Sequence, residues 1–268
     1  MKPLNPRQRP NPAPERIEFN SQMVIKKLRQ SEDMVLYINY IDDKPTFIFL
    51  MAQFNPHTAL TLIGFLDNRR ALVVSDRDGV VKDSTFLNDI NKQDAADVMI
   101  PSALEAGKKL NDAGVGLAIA TNQGGFQSGK MSFEDTIAIN VRVSQQMANA
   151  GGHLDAIFIC PFAESLKSVD PDIYDARKPS GGMPLFARQL AAASEVPVLA
   201  MVGDQRTDGA AGQAAGLKFL AITDNHGRWE AELESARRNN KKLPILDTDA
   251  SVYQEVPAFA DAVRILLA

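Results

Sequence analysis

Cysteine is nearly absent from this 268-residue chain, with Cys160 the only one. No intrachain disulfide can form, and a cysteine-rich zinc site is excluded. Histidine is scarce too: His57, His153 and His226 are far apart in sequence. Solvated side chains account for them, and no histidine metal cluster is expected. Charge of one sign is also lacking, with 29 Lys and Arg against 33 Asp and Glu, a net charge of −4. That balance gives no general electrostatic case for nucleic acid or an anionic membrane. The one local basic cluster, Arg237, Arg238, Lys241 and Lys242, reads as a solvated helix end. No apolar run reaches the length of a membrane span. The first fourteen residues hold five prolines and no apolar core, so they do not read as a secretory leader. A cytoplasmic protein is the expectation.

The chain does have material for a core: 45% of its residues are hydrophobic and 23% charged. Residues 1–20 read as an extended or disordered tail. Residues 21–68 read as a small N-terminal α+β appendage. It holds a hairpin from 35–41 and 46–54, then a short helix over 55–66 with Asn55 as N-cap. It carries no chemical motif and offers a surface for a homodimer. From residue 69 to 268 the pattern is that of one larger domain. Apolar runs at 71–76, 115–121, 154–160, 196–204 and 217–223 read as strands. Helical periodicity covers 99–114, 132–151, 182–194 and 207–216. This alternation predicts an α/β fold with a doubly wound, parallel, Rossmann-like sheet and right-handed crossovers. Chemistry in such sheets lies beyond the carboxyl ends of the strands.

Those ends carry a chemical set. The first strand ends in Asp76-Arg77-Asp78-Gly79, the second in Thr121-Asn122-Gln123, and the fourth in Gly203-Asp204, with Asp208 four residues on. The loop after the third strand ends in Arg177-Lys178-Pro179. Each piece has a bland reading alone: an Asx-type turn, a strand exit, a helix N-cap or a solvated lysine. Four in order, each at a strand end, suit phosphoryl transfer through an aspartyl-phosphate. Asp76 can attack phosphorus. Asp78 can protonate the leaving oxygen and then deprotonate water. Asp76, Asp204 and a main-chain carbonyl are hard oxygen ligands for Mg²⁺. Thr121 and Lys178 can hold the remaining phosphate oxygens.

A rival lies at Gly124–Lys130, which has the glycine and lysine spacing of a P-loop, with Met131 where a hydroxyl is needed. The P-loop reading leaves Asp76, Asp78 and Lys178 unexplained. On the phosphate-ester reading, Lys130 is in solvent and Ser132 caps the next helix. A non-catalytic binding protein, a phosphotransferase and a nucleic-acid 3′-phosphatase also compete with a small-molecule phosphatase.

Asp76–Val81, Thr121, Lys178 and Gly203-Asp204…Asp208 resemble the four motifs of the haloacid dehalogenase (HAD) superfamily of phosphohydrolases. The stretches DRDGVV, TNQGG, RKPSGGM and MVGDQRTD look like its heptose bisphosphate and histidinol phosphate phosphatases. The resemblance covers about residues 70–225. It implies Asp76 as nucleophile, Asp78 as acid/base, and Thr121 and Lys178 as phosphate ligands. It also implies Mg²⁺ on Asp76, Asp204 and the Asp78 carbonyl. Asp208 would be a supporting or additional metal-site carboxylate, with Arg177 and Asn122 as substrate-side contacts. The intervals between motifs are filled by the elements named above, leaving no room for a separate cap domain. A small phosphorylated substrate in an open crevice is expected. The zinc loop usual in the heptose enzymes aligns with 160–179, where its ligand positions fall at Cys160, Phe162, Tyr174 and Ala176. One ligand of four cannot hold structural zinc, so no zinc is expected and Cys160 reads as a buried thiol. Glu164, Asp170, Asp172 and Asp175 make this loop acidic, which disfavours a second phosphate or a DNA backbone.

Overall fold

The computed structural model describes residues 16–19, 23–30, 34–41, 44–52, 66, 69–83, 99–125, 129–160, 176–224, 228–240 and 242–268. Ten strands make one sheet: β1 (Arg16–Phe19), β2 (Met23–Gln30), β3 (Met34–Ile41), β4 (Lys44–Ala52), β5 (Ala71–Ser75), β6 (Val115–Asn122), β7 (Ala156–Cys160), β8 (Val198–Gly203), β9 (Lys218–Ile222) and β10 (Tyr253–Val256). The described helices are α1 (Pro101–Asp112), α2 (Phe133–Asn149), α3 (Gly182–Ala193), α4 (Arg206–Ala214), α5 (Arg228–Arg238) and α6 (Phe259–Leu267). None is long and apolar enough to cross a membrane.

The strand order is β1-β2-β3-β4-β7-β6-β5-β8-β9-β10. The run from β7 to β10 is parallel throughout, which is the doubly wound α/β arrangement the sequence predicts. β5 lies inside it. The chain steps outward through β6 and β7, then returns to the other side of β5 for β8, β9 and β10. That reversal opens a crevice at the carboxyl end of β5.

The central strands form where β-branched and aliphatic residues are continuous, because both faces of a parallel sheet are buried. In β5, Leu72 and Val74 face one core, with Phe158, Phe186 and Leu190. Ala71 and Val73 face the other, with Leu110, Met147 and Phe259. So α3 covers one face while α1, α2 and α6 cover the other. Cys160 lies in the first core, fully buried, in keeping with the expected buried thiol.

Three expectations need correction. Residues 16–19, placed in the tail, are strand β1, paired antiparallel with β2. Leu66, placed before the start of the main domain, is buried in the core containing Phe158 and Phe186. His153 is half-buried, not solvated, with Nε2 3.3 Å from Asp155 Oδ1. β3 and β4 pair antiparallel over the stretch expected to form a hairpin. β4 in turn pairs antiparallel with β7 through Ile48–Ile159, Phe49–Phe158 and Leu50–Ile157, so these strands continue the main sheet. The helix expected over 55–66 lies outside the described residues, apart from Leu66, as do His57, His226 and residues 161–175. Beyond residue 225, where the sequence pattern marks no strand or complete helix, the chain forms α5, β10 and α6. Arg237 and Arg238 are exposed in the last turn of α5, as expected.

Candidate active site

β5 ends at Ser75, and the chain turns at once into Asp76-Arg77-Asp78-Gly79. The Asp76 N–H still continues the sheet, donating to the Val202 carbonyl at 2.8 Å. Gly79 then takes φ +87, the left-handed region that glycine enters at little cost. The turn closes with the Lys82 N–H donating to the Arg77 carbonyl at 2.9 Å. The two aspartates are thereby held at the mouth of the crevice, both buried.

Lys178 comes in from across the sheet. Its Nζ is 2.6 Å from Asp76 Oδ1 and 2.6 Å from Asp208 Oδ1. Asp208 belongs to the first turn of α4, and its Oδ2 accepts from the Gln205 N–H at 3.0 Å. Asp204, just past β8, is 1% exposed. Carboxylate oxygens of Asp76, Asp204 and Asp208 all lie within 4.8 Å of one another. Three buried, hard oxygen donors at that spacing fit a Mg²⁺-type cation.

Burial, opposed by the Lys178 ammonium and reinforced by Asp208 and Asp78, pushes the Asp76 carboxyl up to about 6. For Lys178, burial alone would lower the ammonium. Asp208 and Asp76 outweigh it and raise the group above the ordinary lysine range. At neutral pH the pair is therefore a carboxylate facing a fixed cation.

Asp78 sits in a second cluster. Arg77 donates to both its oxygens, from Nε at 3.3 Å and Nη2 at 2.8 Å. The Lys82 ammonium is 3.6 Å from Oδ1. Gln123 Nε2 is 3.3 Å from Asp78 Oδ2 and 2.9 Å from Thr121 Oγ1. Arg77 is itself anchored on α2 through Asn140 Oδ1 at 3.0 Å. Burial lowers the Lys82 ammonium, with Asp78 acting in the opposite direction.

These groups line a crevice of about 310 Å³, together with Thr121, Asn122, Arg177, Met131 and Thr207. The structure thus brings together every residue singled out from the sequence: Asp76, Asp78, Thr121, Asn122, Arg177 and Lys178 on the wall, and Asp204 and Asp208 against Asp76. Asn122 differs in its partner. Its amide is committed to the backbone of Lys178, donating to the carbonyl at 2.9 Å and accepting from the N–H at 3.0 Å. Sequence reasoning misses Arg77, Lys82 and Gln123. For Gln123 the available signal is a polar residue inside the same strand exit as Thr121, and it is 9% exposed.

Among the described residues, the geometry gives the P-loop rival no support. Lys130 is exposed and is not among the crevice residues. The N–H groups of Lys130 and Met131 both donate to the Gly125 carbonyl, closing a turn on themselves. Ser132 caps α2, accepting from the Asp135 N–H at 3.0 Å, as expected.

A HAD-hydrolase-like family model matches residues 175–246. The D-glycero-beta-D-manno-heptose-1,7-bisphosphate 7-phosphatase of Vibrio cholerae is 34% identical over 155 residues, 56% of this chain and 81% of that one. The enzyme of the same name from Pseudomonas aeruginosa is 32% identical over 116 residues, 42% of this chain and 60% of its own length. The crystal structure of D,D-heptose 1.7-bisphosphate phosphatase from B. bronchiseptica, complexed with magnesium and phosphate, superposes with a TM-score of 0.54 at 26% identity, covering 74% of this chain and 98% of that one. With buried carboxylates and a lysine gathered at the carboxyl ends of a parallel sheet, the chain belongs to the haloacid dehalogenase superfamily of phosphatases.

Proposed function

We propose that the protein hydrolyses a small sugar-phosphate-like monoester through a phosphorylated Asp76, with Mg²⁺ as cofactor. The observation that carries this reading is the Lys178 ammonium, 2.6 Å from the Asp76 carboxylate inside the crevice. An ionised, poorly hydrated carboxylate is a competent nucleophile. The neighbouring cation and the Thr121 hydroxyl offer donors for the non-bridging phosphate oxygens. An Asp76 oxygen attacks phosphorus, and the ester P–O bond breaks. The leaving oxygen takes its proton from the Asp78 carboxyl. Water then attacks phosphorus and gives a proton to the Asp78 carboxylate. The P–O bond to Asp76 breaks, releasing inorganic phosphate and restoring both groups. Arg77 and Gln123 hold Asp78 in place for both transfers.

Asp76, Asp204 and the Asp78 carbonyl would hold Mg²⁺, which when bound screens the repulsion between the anionic nucleophile and the anionic phosphate. Asp208 has one oxygen on Lys178 and the other on the Gln205 N–H, so its first task is to orient the lysine. Arg177, half-buried on the crevice wall, faces the part of the substrate beyond the phosphate.

The test is phosphate release from p-nitrophenyl phosphate and a metabolite panel, with Mg²⁺ and with EDTA. Heptose 1,7-bisphosphate belongs in that panel, because it is the substrate in the relatives' names. Asp76→Asn is expected to lose at least about 10³-fold in kcat while unfolding at an unchanged temperature. Lys130→Ala is expected to keep full turnover. Full turnover by Asp76→Asn would remove Asp76 as nucleophile, and loss of turnover by Lys130→Ala would return the P-loop.

A further inference from the structure

We propose that Asn122 is a positioning residue that fixes Lys178 against Asp76, in place of the substrate contact its sequence position suggests. This rests on the role given to Lys178 above. Asn122 is the last residue of β6, and both polar atoms of its side chain are used on one other residue. Nδ2 donates to the Lys178 carbonyl at 2.9 Å, and Oδ1 accepts from the Lys178 N–H at 3.0 Å. This two-point bond reproduces the exchange of N–H and C=O that a neighbouring strand would make.

The arrangement answers a mechanical problem. A lysine ammonium hangs on a stem with four rotatable bonds, and here it must stay 2.6 Å from two carboxylates at once. The two salt bridges fix the far end of that stem. The near end is the backbone of residue 178, in the stretch that joins β7 to α3. Holding its N–H and C=O together stops the backbone at residue 178 from sliding or rotating. Side chains alternate along a strand, so Thr121 and Gln123 share one side, as their 2.9 Å contact shows. Asn122 is left to reach the other way, toward the lysine loop.

Without Asn122, two backbone groups of the buried Lys178 lose their partners. The backbone at residue 178 then shifts, and the ammonium loses its register with the phosphate. Misplacement by about 1 Å is enough for about a 10²-fold loss in rate.

The experiment is a double-mutant cycle on the full chain: wild type, Asn122→Ala, Lys178→Met and the pair. The readouts are kcat and KM for p-nitrophenyl phosphate with Mg²⁺, and the rise in unfolding temperature given by inorganic phosphate. Asn122→Ala is expected to lower kcat by about 10- to 10²-fold and to weaken the phosphate-induced rise. In the Lys178→Met background it is expected to change kcat by less than about threefold. Asn122→Asp, which keeps the acceptor and loses the donor, should fall between wild type and Asn122→Ala. It carries the same cycle should the alanine variant not fold. If the two losses multiply, or if Asn122→Ala raises KM alone, Asn122 touches substrate directly and the proposal fails. If Lys178→Met keeps wild-type turnover, the failure lies in the role assigned to Lys178.

Discussion

Gly203 shows how closely the acidic groups of the site are packed. A Cβ there would stand 2.3 Å from Asp208 Cβ and 2.5 Å from Asp208 Oδ2. Asp208 is 1% exposed and tied at both oxygens, so the clash cannot be relieved by a rotamer change in solvent. It must move the carboxylate that holds Lys178. Gly203→Ala is therefore expected to lose about 10²-fold in kcat and about 1–3 kcal/mol of stability, read by initial rates and urea unfolding. Rates like those of the wild type would mean that Asp208 shifts without disturbing the lysine. At this scale most of the site can be read from the chain. Asp76, Asp204, Thr121 and Lys178 are polar residues standing where apolar strands or their loops end, and the fold class says where such ends meet. The surroundings of Asp78 cannot be read in the same way. Arg77, Lys82 and Gln123 close on it only because the turn after β5 and the exit from β6 fold against each other. No residue pattern announces that contact.

The N-terminal ends of β5, β6 and β7 are joined by a buried carboxylate on the side of the sheet away from the crevice. Asp155, just before β7, accepts from Arg69 Nε at 2.9 Å and from the Leu117 N–H of β6 at 2.8 Å. His153 packs against it. Burial lowers the imidazole below its ordinary 6.5, with Asp155 opposing the shift and Arg69 adding to it. Above pH 6.5 the histidine is neutral in both folded and unfolded chains and contributes nothing. Between 6.5 and its lowered folded value the unfolded chain takes up the proton first, so stability falls as pH falls. For Asp155 the sign is opposite. Burial raises its carboxyl above 3.8, so the folded chain binds that proton first and gains stability as pH falls through the raised value toward 3.8. Comparing wild type with His153→Gln isolates the histidine. From pH 7.5 to 5.5 the unfolding temperature of the wild type is expected to drop further than that of the variant, and parallel curves would refute the assignment. The same elements mark what sequence periodicity can supply. β5 to β9 stand within two residues of their expected bounds because both faces are apolar. β10 escapes a reading by pattern because Tyr253-Gln254-Glu255-Val256 is short and mostly polar, and its place depends on pairing with β9.

Across the whole molecule, the sheet has two parts that meet at β7. From β7 to β10 it is parallel, and the crevice lies beyond the carboxyl ends of its strands. From β1 to β4 it is antiparallel and extends the sheet beyond β7. The apolar pattern of residues 35–41 and 46–54 predicts strands, but which edge they join depends on long-range pairing that no local signal encodes. The pairing of β4 with β7 covers backbone groups on an apolar strand that would otherwise form an open edge of the parallel sheet. Such an edge is a template for association between chains. A variant lacking residues 1–52 retains Leu66, Arg69 and Asp155, along with every residue of the crevice. It is expected to hydrolyse p-nitrophenyl phosphate at close to the full-chain rate while forming larger species in light scattering and sedimentation. A truncated protein that stayed as dispersed as the full chain would show that β4 does not shield β7. One that lost turnover while remaining folded would show that the antiparallel strands shape the crevice, and that the phosphatase domain cannot be separated from them.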